Sequence, residues 1–186
     1  MRYLKHLGAL IILLSIGCSG IQLSQDYDPA TDFGSLKHFT WASPTQPVTG
    51  DARIDNPFRD TRIREAVNRL LQEKGYIHTS EATPDFLVRY QYTLRRRIDS
   101  EGPAGGIGFG IGSYGRHGGI AIGTGNTVSE YDEGTLVIDI VDSKSDTLLW
   151  RGSGTERFME YDDPQKTRQN IDSLVKRILD QFPPQP

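Results

Sequence analysis

The feature that most constrains the fold is a predicted β-hairpin between Gly134 and Glu156. Two apolar runs, TLVIDIV and TLLWR, flank the polar stretch DSKSD, and apolar runs joined by a short polar turn are typical of a hairpin. Residues that alternate onto one face are apolar on both arms: Leu136, Ile138, Ile140, Leu148 and Trp150. The opposite face is also partly apolar, which places the pair in the middle of a sheet.

The rest of the chain predicts an α+β domain. Alternating patterns indicate short strands at 21–24 and 37–42 and a long strand after Asp85. Apolar residues at helical spacing indicate two helices, one beginning at Asn56-Pro57 and the other at Asp163-Pro164. We therefore predict a mainly antiparallel sheet of about five strands, with both amphipathic helices packed on one face.

The first 17 residues are predicted to be a lipoprotein signal peptide. Arg2 and Lys5 form a basic start, and the following apolar run, LGALIILLSI, is too short to span a bilayer. LSIGC resembles a lipobox, with Ser15 in place of the usual leucine, and its Cys18 is the only cysteine of the chain. An ordinary signal peptide or an N-terminal anchor helix are the alternatives.

The lipobox resemblance implies that the Cys18 thiol carries a diacylglyceryl group and that the new amine is acylated, for example with palmitate. Several acyl chains anchor a protein stably, since each buried CH₂ contributes about 0.8 kcal/mol. Ser19 follows Cys18, where an aspartate would resemble an inner-membrane retention signal. We therefore expect residues 18–20 to be a lipidated tether on the outer membrane of a Gram-negative cell, facing the periplasm.

Several pieces of the sequence, in order, resemble the lipoprotein family of domain of unknown function 4136. They are YDPATDFGSLKHFTWA, EKGY, PDFLVRYQY, GTLVIDIVDSKSDTLLWRG and ILDQFPP. The resemblance implies a single α+β domain over residues 21–186, exported as a lipoprotein. Because the family has no established function, it carries over no catalytic residues.

Residues 102–125 form an insertion in which nearly every second residue is glycine. Three interpretations stay open: a mobile loop, a hairpin packed on the domain or a partner, or a lipid-inserting hairpin that closes into a barrel on oligomerisation. The candidate interaction residues are bulky side chains that lie between the glycines: Ile107, Phe109, Ile111, Tyr114, Ile120 and Ile122.

No motif predicts catalysis, a cofactor or a metal site. The G-x-G-x-x-G within GFGIGSYG lacks the helix start and βαβ unit that dinucleotide binding requires. His38, His78 and His117 have no second ligand at a spacing usual for zinc. The formal net charge of −3 gives no general attraction for nucleic acid. The basic run at 95–97 is followed by acidic residues, which favours a solvated strand end over a lipid-headgroup site.

These features predict a non-catalytic, membrane-anchored accessory or scaffold module. Such a module would dock an envelope protein, or a second copy of itself, through a sheet edge or the Gly-rich hairpin. One alternative is a subunit of an oligomeric envelope assembly or pore that uses the hairpin as its membrane element. The other is an enzyme whose site the sequence does not reveal.

Overall fold

A computed structural model describes residues 20–80, 83–100 and 128–185. The strands are β1 (Gln22–Tyr27), β2 (His38–Trp41), β3 (Ile77–His78), β4 (Phe86–Ser100), β5 (Val128–Asp142) and β6 (Leu148–Arg157). The helices are α1 (Pro57–Glu73) and α2 (Pro164–Leu179), and a short 3₁₀ turn spans Phe33–Ser35.

The strands form one sheet in the order β1-β6-β5-β4-β2-β3. The pairings β1–β6, β6–β5 and β5–β4 are antiparallel, whereas β2 runs parallel to both β4 and β3. The predicted α+β fold with a mainly antiparallel sheet is confirmed. The predicted count of about five strands becomes six. The additional strand, β3, has only two residues, too few to show an alternating pattern.

The predicted hairpin is formed by β5 and β6, with one correction. Ile140 pairs with Trp150 and Val141 pairs with Leu148, so Leu149 is an extra residue in β6. Such a β-bulge changes which side chains share a face. Trp150 is fully buried as predicted, but Leu148 is 41% exposed, contrary to its predicted place in the apolar face.

Both helices begin at the residues that the sequence indicates. The side chains of Asn56 and Asp163 accept hydrogen bonds from the backbone amides of Phe58 and Gln165, which satisfies free donors at each helix start. Helix α1 is followed by Gly75 at φ +91°, a left-handed conformation that favours glycine. The predicted helix ends are therefore set by local chemistry.

The core lies between the helices and one face of the sheet. It includes Phe39 from β2, Val88 from β4, Ile138 from β5 and Val67 and Val175 from the two helices. Both helices therefore turn their apolar residues toward the sheet, as predicted. Phe182 is also fully buried, although α2 ends before it, at Leu179.

Helix α2 packs closely against β6 because two residues of that strand have no side chain. A Cβ atom at Gly154 would lie 2.7 Å from Cδ1 of Leu174. A Cβ atom at Gly152 would lie 2.2 Å from Cη2 of Trp150 and 2.8 Å from Cγ2 of Ile178. The glycines in the RGSGTE sequence thus make room for both the helix and the indole ring.

Candidate functional site

The site residues predicted from the sequence lie outside the described residues. These are the lipidation site Cys18 and the six candidate interaction residues Ile107, Phe109, Ile111, Tyr114, Ile120 and Ile122. They stay predictions. The structure does describe the two strands that lead into and out of the Gly-rich segment, together with the loop and cavity beside them.

Strands β4 and β5 pair without interruption from Phe86–Asp142 to Ser100–Val128. On the β2 side, strand pairing ends where Trp41 meets Val88. The end of this pair, residues 94–100 with 128–134, is called the ribbon below. The chain between its two strands is residues 101–127, which include the Gly-rich segment.

The edges of the ribbon have few backbone partners among the described residues. On the β4 side, the amide of Tyr92 donates to Oε1 of Gln46 at 3.1 Å, a side chain in place of a strand. On the β5 side, Phe158 N–H donates to the carbonyl oxygen of Asp132 at 2.8 Å. Beyond these contacts, both edges continue without a described partner strand, and unpaired strand edges favour pairing with another chain.

The surface of the ribbon combines charged side chains with one large apolar side chain. Ile98 is 65% exposed. Arg97 Nε lies 3.0 Å from Oε1 of Glu133, and Arg96 Nη1 lies 3.9 Å from Oε2 of Glu130. Both arginines are exposed to solvent, so these pairs contribute little to stability. The basic run at 95–97 therefore lies on a solvated strand surface, as predicted.

The base of the ribbon is fixed by a close contact between neighbouring strands. A Cβ atom at Gly134 would lie 2.3 Å from the hydroxyl oxygen of Tyr92, so only glycine leaves room for that ring. Arg59 lies over the Tyr92 ring, with Cζ 5.2 Å from its centre. Burial raises the pKa of Tyr92 to about 12 and also raises the pKa of Glu156.

Arg53 connects the ribbon to the loop that follows β2. Its guanidinium contacts Asp132 of β5 at 2.5 Å and Asp51 of its own loop at 2.6 Å. The hydrogen bond from Arg53 holds the pKa of Asp51 down to about 2. Asp55 accepts hydrogen bonds from the backbone amides of Thr49 and Gly50, which closes the same loop on itself.

A cavity of about 350 Å³ lies between this loop and β4. A second cavity of about 260 Å³ shares Thr45, Gln46 and Tyr90 with it, so the two are neighbours. The larger cavity is at the lower end of the sizes that hold small ligands. Its polar and aromatic lining includes Trp41, Gln46, Arg64, Arg89, Tyr90, Gln91 and Asp139.

The inner wall of the larger cavity is a connected cluster. Arg64 lies over the Trp41 ring at 4.3 Å and donates from Nε to Oδ1 of Asp60 at 3.0 Å. The Tyr90 hydroxyl donates to the same carboxylate oxygen. The Trp41 indole donates to Oδ1 of Asn68 at 3.0 Å. Sequence reasoning missed this cluster, and only the i,i+4 spacing of Asp60 and Arg64 signals part of it.

These hydrogen bonds fix the positions of the side chains in the cluster. Burial, and secondarily the bond to Asp60, raises the pKa of Tyr90 above that of an ordinary tyrosine. The hydroxyl stays protonated at neutral pH and donates its hydrogen to Asp60. The cavity's other charged residues are also paired, Arg89 with Asp146 and Asp139 with Arg151.

The two histidines that the structure describes have local partners. His38 Nδ1 lies 3.4 Å from Oδ2 of Asp85, and the His78 ring lies 5.2 Å from the Phe39 ring. Within residues 20–80, 83–100 and 128–185, no group of three or more His, Cys, Asp or Glu side chains is placed to hold a metal ion. In the same ranges, no helix is long and apolar enough to cross a membrane.

Comparison with solved structures finds proteins of similar fold. A PDZ domain protein from Parabacteroides distasonis ATCC 8503 has 14% identity and a TM-score of 0.50. The likeness covers 98% of this chain but 41% of that one, so this chain spans less than half of that protein's length. A PelC dodecamer from Paraburkholderia phytofirmans has 10% identity and a TM-score of 0.46, over 86% of this chain and 95% of that one.

At 14% identity, the likeness to the first of these proteins concerns the fold alone. No curated protein matches the sequence. The family described as Domain of unknown function (DUF4136) matches residues 23–184, a range that includes every strand after the first residue of β1, both helices and the insertion between β4 and β5. The chain therefore belongs to this family of unknown function.

Proposed function

We propose that the protein is a lipid-anchored module of the bacterial envelope, without catalysis, that binds a partner through the ribbon and the segment it carries. The anchor is the acylated Cys18, on the periplasmic face of the outer membrane. The partner is an envelope protein or a second copy of the chain. The proposal combines the predicted lipobox with the ribbon of the described domain.

The observation that carries the binding role is the ribbon. Two strands of 15 residues each continue past the last pairing of β2 and β6 and leave backbone edges open among the described residues. Open edges are a common docking element, because a partner strand satisfies their amides and carbonyls. The apolar residues between the two strands add side chains for recognition, including Ile107, Phe109 and Ile111.

A second candidate function is that of a subunit in an oligomeric envelope assembly or pore. The continuous pairing up to Ser100 and Val128 favours it, because the segment 101–127 then begins and ends on neighbouring antiparallel strands. Several copies would be needed to close a barrel, since lipid requires every backbone polar group to have a partner.

Cell fractionation tests the anchor. Cys18→Ser is expected to move the protein from the membrane to the soluble periplasmic fraction, because the thioether to the lipid cannot form. Ser19→Ala is the matched control and is expected to stay in the outer membrane. Ser19→Asp is expected to shift the protein toward the inner membrane. A Cys18→Ser protein that stays with the membrane would refute the lipoprotein assignment.

Replacing residues 102–125 with a short Gly-Ser turn tests the binding role and separates the two candidates. The native mass of the full-length lipidated protein in mild detergent is measured before and after this change. A monomer that loses its co-purifying envelope partner on replacement supports the docking module. A defined ring-sized oligomer that dissociates on replacement supports the assembly. Retention of the same partner and the same mass contradicts both.

A further inference from the structure

We infer that the ribbon points toward the bilayer that holds the lipid anchor, so that the ribbon end of the sheet is a second membrane-contacting surface. This inference rests on the proposed lipidation of Cys18 and adds an orientation to it. The observations that carry it are the register of four neighbouring strands, the length of the tether and the chemistry of the two ends of the sheet.

The strand register places the start of β1 on the same side of the sheet as the ribbon. Gln22 pairs with Thr155 of β6, Thr155 pairs with Thr135 of β5, and Thr135 pairs with Thr93 of β4. These residues therefore form one row across the sheet. From that row, β4 continues to Ser100, which at about 3.3 Å per residue is a further ~23 Å.

The tether is shorter than the ribbon. A fully extended chain from Cys18 to Gln22 spans at most about 14 Å. With the acyl chains in the bilayer, the lipid surface stays within that distance of Gln22. If the ribbon lay along the membrane normal, it would reach past the lipid surface. With the tether fully extended, a tilt of about 50° from the normal brings the tip of the ribbon just to the lipid surface, so the tip reaches the bilayer at any smaller tilt.

The reverse orientation is blocked by the same distances. In that orientation the β5–β6 turn would face the lipid. Leu148, the first residue of β6, lies seven positions from Thr155, which is again about 23 Å along the strand and beyond the reach of the tether. The turn is also polar, with the sequence DSKSDT at 142–147 and no apolar side chain to enter lipid.

The ribbon end has the chemistry of a membrane interface. Ile98 is largely exposed, and Tyr131 on the paired strand is an aromatic residue of the kind that favours the headgroup level. The three arginines at 95–97 have long side chains that can keep their charges at the headgroups while the ribbon approaches lipid. The carboxylates of Glu130, Asp132 and Glu133 on the paired strand are each within 4 Å of an arginine nitrogen, which offsets their charge.

A third orientation has the β1 edge lying on the membrane, with the ribbon parallel to the surface. That edge is the strand QLSQDY, exposed along its whole length and carrying a negative charge at Asp26. It presents no basic residue to an anionic surface. This arrangement would place both ends of the long strands at similar depth, and an experiment distinguishes it from the inferred orientation.

The experiment uses the lack of any other cysteine. Because lipidation consumes the thiol of Cys18, a cysteine introduced elsewhere is the only free thiol of the full-length protein. Ile98→Cys at the ribbon and Lys144→Cys at the opposite turn are both exposed positions and form a matched pair. Each is labelled with an environment-sensitive fluorophore and reconstituted into vesicles of phosphatidylethanolamine and phosphatidylglycerol that contain a lipid-bound quencher.

The expected result is a strong loss of fluorescence at position 98 and little loss at position 144. Equal quenching at both positions, or stronger quenching at 144, overturns the inferred orientation. Flotation of the vesicles reports on the anchor separately. Protein that floats but shows equal quenching refutes this inference alone, whereas protein that does not float refutes the lipid anchor and the inference with it.

Discussion

Trp150→Ala tests whether the middle of the sheet is organised as the structure has it. The indole is fully buried, its ring centre lies 5.1 Å from that of Phe182, and its Nε1 donates to Oε1 of Gln25 at 3.1 Å. Truncation of a buried tryptophan costs about 3 to 5 kcal/mol of unfolding free energy. The Gln25 oxygen becomes free to bond water, because that residue is exposed, so no unsatisfied-acceptor penalty is added.

Thermal and urea unfolding measure this loss. At the ~2–4 °C per kcal/mol typical of a domain of this length, the melting temperature falls by about 6 to 20 °C. Leu148→Ala is the control, because that side chain lies beside the bulge and is 41% exposed, and its effect is expected to be about 1 kcal/mol or less. Equal effects of the two substitutions would refute the described register.

A double-mutant cycle extends the test to the neighbouring glycine. Gly152→Ala places a methyl group 2.2 Å from Cη2 of Trp150, and overpacking of this kind costs about 1 to 3 kcal/mol. Trp150→Phe removes the clashing ring, so the same methyl is expected to cost about 1 kcal/mol less in that background. Some cost remains, since the methyl also lies 2.8 Å from Ile178. Strict additivity would contradict the contact.

Three further changes have defined outcomes. Gly134→Ala is expected to destabilise the fold by about 1 to 3 kcal/mol, because the new methyl group would meet the hydroxyl of Tyr92. Tyr92→Phe removes that hydroxyl and is expected to relieve part of the loss. A chemical unfolding cycle that shows no relief contradicts this contact. Burial raises the pKa of Tyr92 from 10.0 to about 12, so the folded state keeps the proton longer than the unfolded chain. The contribution of Tyr92 to stability is therefore full below pH 10 and is lost as the pH rises from 10 to about 12. Unfolding scans of Tyr92→Phe are expected to show a smaller loss of unfolding free energy over this pH range. An identical loss would exclude Tyr92 as a cause of the pH dependence. Changing Arg95, Arg96 and Arg97 together to glutamine is expected to alter the unfolding free energy by less than about 1 kcal/mol. A large loss would show that these side chains make stabilising contacts instead of only being solvated.

Local chemistry made the helices and the hairpin predictable. A side-chain acceptor followed by proline begins each helix at Asn56 and Asp163, and Gly75 follows the first helix where a left-handed residue is needed. The alternation of Phe86, Val88 and Tyr90 gives β4 directly. In each case the residues that decide the element are neighbours in sequence.

Features that depend on distant residues were not predictable in this way. The parallel pairing of β2 with β4 follows from the crossover through α1 and leaves no mark on the four residues of β2. The bulge at Leu149 depends on how two strands align. The Trp41–Arg64–Tyr90 cluster joins a strand, a helix and another strand, so no single window of sequence contains it. Tyr92 needs Gly134 across the sheet, and neither residue alone indicates the other.

The double contact of Arg53 has a mechanical consequence. The same guanidinium contacts Asp132 on the ribbon and Asp51 in the loop after β2. Earlier residues of that loop, including Gln46, form a wall of the larger cavity. The loop that forms this wall is therefore tied to the long strands at two points, through the Arg53 side chain at Asp132 and through the hydrogen bond from Tyr92 to Gln46.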